Sequence, residues 1–214
     1  MKRGFGWIMA LAVILILSVA GSATADQKPP NYISLKGGIY TPTGDLDDSE
    51  FDSGFNGEIA FGRYMSPNGV VEVGIGYFNS DAEFSGTYPY IGTFSEKDEV
   101  KVVPLTASAK GILPAGPVEF YIGGGIGLYY VEISADADTS GLGSFSFSDT
   151  DYIFGVHVMA GVQFDIANRA FFGIEAKNVW TDEAEAEDTV RGIPMKIETD
   201  LNGYMVTANL GIRF

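Results

Sequence analysis

Eight stretches of this chain alternate apolar with polar or glycine residues one position at a time. Successive side chains on a β-strand point to opposite faces, so a period of two predicts strands with one apolar and one polar face. The stretches are Asn31–Tyr40, Gly54–Tyr64, Val70–Asn79, Glu99–Ile112, Val118–Glu132, Asp151–Asp165, Ala170–Trp180 and Gly203–Phe214. In the last, Tyr204, Val206, Ala208, Leu210, Ile212 and Phe214 share one face, and Met205, Thr207, Asn209, Gly211 and Arg213 share the other. The fold class predicted is all-β.

The connections sharpen this to a topology. Three are short and rich in turn formers: Ser66-Pro67-Asn68-Gly69, Leu113-Pro114-Ala115-Gly116-Pro117 and Ile166-Ala167-Asn168-Arg169. Four are expected to be long and polar, at about 41–53, 79–98, 133–150 and 181–202. Long and short alternate strictly, as in an eight-stranded antiparallel up-and-down β-barrel. Barrels of the outer membrane have short periplasmic turns and longer external loops.

The polar face carries Lys36, Glu58, Glu72, Lys110, Glu119, His157, Glu175, Lys177 and Arg213. In a soluble barrel these would point to water and the apolar face would line a cavity. In a transmembrane barrel they would be enclosed, beside many glycines, and the apolar face would meet lipid. Strands here reach the ~9–11 residues that a tilted bilayer crossing needs. The larger apolar set, with aromatics near its ends, favours lipid. Enclosed charges need partners, so the near-balance of acids and bases on this face predicts an internal ion-pair network. It would be either a structural plug or a narrow polar pathway.

The start of the chain reads as an export signal. Lys2 and Arg3 precede the apolar run Trp7–Leu17, and Ala23-Thr24-Ala25 is an A-x-A cleavage signature. The run falls short of the ~20 residues of a spanning helix. Residues 1–25 are therefore expected to be a cleaved signal peptide and residues 26–214 the barrel domain. Cysteine is absent, which excludes disulfides, zinc–thiolate sites and a Cys nucleophile. A net charge of −15 argues against nucleic acid as a partner.

The whole mature region resembles the small outer-membrane β-barrel domain family, which includes the transmembrane domain of outer membrane protein A, outer membrane protein W and the opacity proteins. The stretch Val102-Val103-Pro104-Leu105-Thr106-Ala107-Ser108-Ala109-Lys110, followed by Pro114-Ala115-Gly116-Pro117, resembles that family's fourth strand and turn. Tyr121-Ile122-Gly123-Gly124-Gly125-Ile126-Gly127 resembles its glycine-rich fifth strand. The end of the chain, with Tyr204, Leu210, Ile212 and Phe214, resembles the family's C-terminal assembly signal. Asn209 stands where the pattern often has glycine. The resemblance implies residence in the outer membrane of a Gram-negative bacterium. The implied partners are membrane lipid, lipopolysaccharide and the barrel assembly machinery.

Chemistry-bearing motifs are few. Some outer-membrane barrels are lipid A deacylases with a Ser shortly after a lipid-facing His; here Val158-Met159-Ala160 follows His157. The run Asp45-Leu46-Asp47-Asp48-Ser49-Glu50 superficially resembles a calcium loop but lacks its sixth-position Gly and twelfth-position Glu. Acidic residues concentrate in the long connections, as solvated loops or as sites for divalent cations beside lipopolysaccharide. No motif for a cofactor occurs. The reading is a non-enzymatic barrel that acts structurally or by surface interaction through acidic external loops. The alternative is a narrow porin-like channel for small solutes, apolar ones among them.

Overall fold

Each alternating stretch forms a strand in the computed structural model, which describes residues 29–88, 92–139, 143–190 and 193–214. The expected signal peptide lies outside the described residues. The strands are β1 Asn31–Pro42, β2 Gly54–Ser66, β3 Gly69–Tyr88, β4 Gly92–Ala115, β5 Val118–Thr139, β6 Gly143–Asp165, β7 Ala170–Thr181, β8 Ala184–Val190, β9 Ile193–Thr199 and β10 Gly203–Arg213. A single turn of helix, α1, spans Asp45–Asp48. Eight strands close into an antiparallel barrel in the order β1-β10-β7-β6-β5-β4-β3-β2, while β8 and β9 form a separate hairpin.

The seam lies between β1 and β10, in a register that sets Leu35 opposite Leu210 and Lys36 opposite Asn209. Asn31 and Phe214 exchange backbone hydrogen bonds of 3.2 and 2.8 Å, so the two ends of the described barrel meet. Tight turns join β2 to β3, β4 to β5 and β6 to β7. In the second, Gly116 has φ 69°, a conformation that favours glycine.

The apolar face points outward. Leu35 is 62% exposed and Ile122 71%, whereas their neighbours Lys36 and Tyr121 are 2% and 7% exposed. Inverted burial of this kind suits a barrel whose solvent is hydrocarbon. Aromatics border the apolar band: Phe55, Tyr77, Tyr130, Tyr152, Trp180 and Tyr204 at the rim away from the tight turns, and Phe61, Phe120, Phe164 and Phe214 at the other. Tyr130 and Tyr152 are 5.1 Å apart, Phe61 and Phe214 6.3 Å.

Strand length departs from the sequence expectation. β1, β2, β7 and β10 have 12, 13, 12 and 11 residues, but β3, β4, β5 and β6 have 20, 24, 22 and 23. Much of 79–98 and 133–150, expected as long loops, is therefore a four-stranded sheet rising past the barrel. Ten extra residues at ~3.3 Å each extend it by roughly 30 Å along the strands. Past Tyr77 and Tyr130 the inner face stays packed as far as Ala82 and Ile133; beyond them both faces are partly exposed, so the strict apolar–polar contrast that marks the membrane strands fades. The other two long connections also carry regular structure: 41–53 contains α1, and 181–202 contains β8 and β9.

Candidate functional site

The barrel interior gathers the charged residues of the polar face. Lys36 on β1 lies beside three carboxylates from three strands: Glu58 Oε1 at 2.7 Å, Glu72 Oε1 at 2.8 Å and Glu175 Oε1 at 3.2 Å. Lys110 on β4 pairs with Glu72 at 2.8 Å and Glu175 at 3.1 Å. Lys177 on β7 pairs with Glu58 at 2.7 Å and reaches Glu175 at 3.9 Å. Three ammonium groups and three carboxylates thus share one layer, and all six side chains are buried. Tyr32 Oη donates to Glu72 at 2.5 Å, and Tyr121 Oη donates to Glu175 at 3.0 Å.

The strand register builds this layer. Lys36 stands opposite Glu58 on β2, and Glu72 opposite Ser108 on β4. Glu175 reaches in from β7. Glycines on the inner face leave the space: at Gly125 a Cβ would meet the Ala107 carbonyl and the His157 ring. His157 Nε2 and Ser108 Oγ are 2.8 Å apart, and both side chains face the interior rather than lipid.

Glu119 and Arg213 belong to a second group, nearer the tight turns. Arg213 donates to Asp165 at 2.5 Å and to Glu119 at 3.2 Å, and its guanidinium lies 4.6 Å from the centre of the Phe171 ring. Tyr64 Oη donates to Glu119 at 3.0 Å, and Gln163 Nε2 donates to both Glu119 and Tyr64. The polar face predicted from sequence is therefore split into two networks. Asp165, Gln163, Tyr32, Tyr64 and Tyr121 complete them, beyond the charged residues and histidine named from the sequence. Their parity on the strands was the available signal, since each shares a face with a charged residue.

Towards the long-strand end the interior turns apolar. Tyr40, Phe78, Val100, Val102, Tyr129, Val131, Ile153 and Val179 pack with Leu46 of α1 and with Leu201 and Ala184. Tyr40 and Phe78 rings are 4.5 Å apart, and Tyr40 Oη donates to the Leu201 carbonyl at 3.2 Å. The sequence predicts charged residues and glycines on the inner face; the apolar upper interior is an addition to that face. The clue was the loss of alternation at Val102-Val103 and Tyr129-Tyr130-Val131, where both faces are apolar.

The run Asp45–Glu50 forms α1 and its exit rather than a calcium loop. Asp45 accepts from the Asp200 N–H at 3.3 Å, and burial together with the Asp45 charge raises the Asp200 carboxyl above the usual range. Asp98, on the inner side of the rising sheet, is raised by burial and by Glu96.

Two features of the wall complete the geometry. The β3–β4 register is continuous to Ile75↔Leu105 and resumes at Phe78↔Val102; Pro104, which has no N–H to donate, lies in the gap. Outside, an apolar groove of about 570 Å³ runs past Leu35, Gly37, Phe55, Gly57, Ile75 and Tyr77. Tyr204, Leu210, Ile212 and Phe214 all lie on the lipid-facing side of the chain's last strand.

Comparison with solved structures finds the same fold. OprG of Pseudomonas aeruginosa aligns with TM-score 0.59 at 16% identity, covering 88% of this chain and 97% of that one. Neisserial surface protein A aligns with TM-score 0.53 at 15% identity, covering 86% and 97%. Comparison with curated protein sequences finds no match. The sequence itself matches the family described as outer membrane protein beta-barrel domain over residues 9–214. With its inverted burial, eight-stranded closure and aromatic rims, the chain belongs to the outer membrane protein beta-barrel domain family and is an integral protein of the outer membrane.

Proposed function

We propose that this chain is a sealed, non-enzymatic barrel that presents a stiff β-sheet for interaction at the cell surface. One observation carries the reading: the interior is filled from end to end, and four of its strands continue past the membrane. Arg213 is 1% exposed at the tight-turn end, Glu175 1% in the middle, and Tyr129 1% towards the other end. A water-filled path would wet these groups. In this family the tight turns face the periplasm, so β3–β6 rise on the outside. Ser108 and His157, a pair with hydrolytic chemistry, are enclosed away from lipid. In planar bilayers the purified barrel is expected to give no stable channel openings across ±100 mV, a range chosen as roughly that of natural membrane potentials. Steady, stepwise conductance would refute the sealed interior.

The gap at Pro104 favours a second reading, a sideways route for small apolar solutes. The apolar interior cluster lies just above the gap, with Phe78 and Val102 at its border, and the outer groove reaches Tyr77 beside it. A solute could pass between cluster and bilayer without crossing the ion-pair layer. On this reading, Pro104→Val restores a ladder donor and slows entry of a fluorescent apolar dye into barrel-containing vesicles several-fold. Equal rates for both proteins would remove it.

A further inference from the structure

The rising sheet has two lateral edges, one on β6 and one on β3, and they are built differently. On β6 the even-numbered residues turn their backbone groups to the edge, since the Asp182 N–H donates to the Phe154 carbonyl at 2.8 Å. The edge donors are then satisfied locally. Thr150 N–H donates to Asp149 Oδ1 at 2.8 Å, and Tyr152 N–H donates to Asp151 Oδ1 at 2.7 Å. Asp151 also accepts from the Glu185 N–H at 3.0 Å, which holds the start of β8 against this edge.

On β3 the odd-numbered residues face the edge. Asp52 N–H donates to the Asp81 carbonyl at 2.8 Å, and Ser80 Oγ donates to the Asp52 carbonyl at 2.5 Å. The cover stops there. Glu83, Ser85 and Thr87 follow at intervals of two and are exposed, and among the described residues their backbone groups have no partner on that side. Natural edges are usually blunted by charge, especially lysine, by proline or by a bulge; here the charges on the edge strand, Asp81 and Glu83, are both acidic. The stretch Asn79–Tyr88 has neither lysine nor proline, and its pairing with β4 runs unbroken from Phe78 to Tyr88.

We propose that the β3 edge at Asp81–Thr87 is a strand-addition site for an extended, cationic polypeptide segment. This rests on the surface-interaction reading and names the partner's chemistry. Backbone pairing supplies the docking, as in other strand additions. Charge supplies the selection. Asp81 stands opposite Glu99 on β4, a like-charge pair, and Glu83 stands opposite Lys97, with which it pairs at 3.0 Å. An added strand would lay alternate side chains beside Asp81 and Glu83. Its other side chains would lie beside Ala82, Phe84 and Gly86 on the inner face. The matching sequence alternates basic with apolar residues. A second copy in the same membrane is a poor occupant: its β3 points the same way, so antiparallel self-pairing would need a barrel inserted upside down.

The test uses the full barrel in lipid nanodiscs and a fluorescent octapeptide of alternating Lys and Val, read by anisotropy. Saturable binding is expected. Methylating alternate peptide nitrogens keeps the charge but removes the donors, and is expected to weaken binding at least tenfold, as loss of two or three backbone hydrogen bonds implies. Ser85→Pro, on a barrel that still shifts on an unheated gel, is expected to do the same, and Glu83→Lys to weaken binding by a smaller factor. No binding, or binding insensitive to both methylation and Ser85→Pro, overturns the edge site. A barrel that conducts in planar bilayers overturns the sealed-barrel reading instead, so the two failures are separable.

Discussion

Lys36→Met is expected to destabilise the barrel by about 3–5 kcal/mol, the usual cost of removing one partner from a buried ion pair. The reason lies in the arrangement of charge. Among the described residues, Lys36 is the only ammonium within 3.2 Å of all three central carboxylates, Glu58, Glu72 and Glu175. Methionine fills a similar volume, so the loss is electrostatic rather than a cavity. Lys110 and Lys177 remain, but each now faces an excess of negative charge in a setting without bulk water. The double variant Lys36→Met/Glu175→Gln removes one charge of each sign and is expected to recover a large part of the loss. Urea unfolding in lipid vesicles, followed by the fluorescence of Trp180, measures both. A loss below about 1 kcal/mol for the single variant, the range of exposed pairs, would mean that water reaches the layer.

Ile126→Arg is the second large effect, expected at about 2–4 kcal/mol for a charge near the bilayer midplane. Ile126 sits in mid-β5 with its side chain 62% exposed. Ile166, in the tight turn before β7, is 60% exposed and serves as the comparison. In water these two sites would tolerate arginine alike. In a membrane the turn lies at the aqueous boundary, where the cost falls to about 0–1 kcal/mol. The same unfolding measurement compares them. Equal effects at 126 and 166 would contradict a lipid-facing apolar band.

The membrane part of this fold is legible in the sequence because one solvent, hydrocarbon, meets one face of every strand. Ile33, Leu35 and Ile39 against Ser34 and Lys36 leave no ambiguity about period or face. The rising sheet was harder to see, because no single solvent sorts its residues. Its trace is present in Ile133-Ser134-Ala135-Asp136-Ala137-Asp138, which keeps the period of two with weaker contrast. The charged layer was legible as a set of residues but not as pairs. That Lys36 meets Glu175, and that Arg213 leaves the layer to join Asp165, depends on closure of the barrel and on register around it, which no local pattern encodes. The apolar upper interior was hidden because Val102 and Val103 are alike in type while pointing to opposite sides of the wall.

The seam between β1 and β10 bears on how such a chain can mature. The pair that completes the ring joins the two most distant strands, so no truncated intermediate is spared an open flank. Folding of this kind is dominated by contacts remote in sequence and is expected to be slow. Until the final segment arrives, Ile33, Leu35 and Ile39 belong to a ribbon whose hydrogen-bonding side is bare.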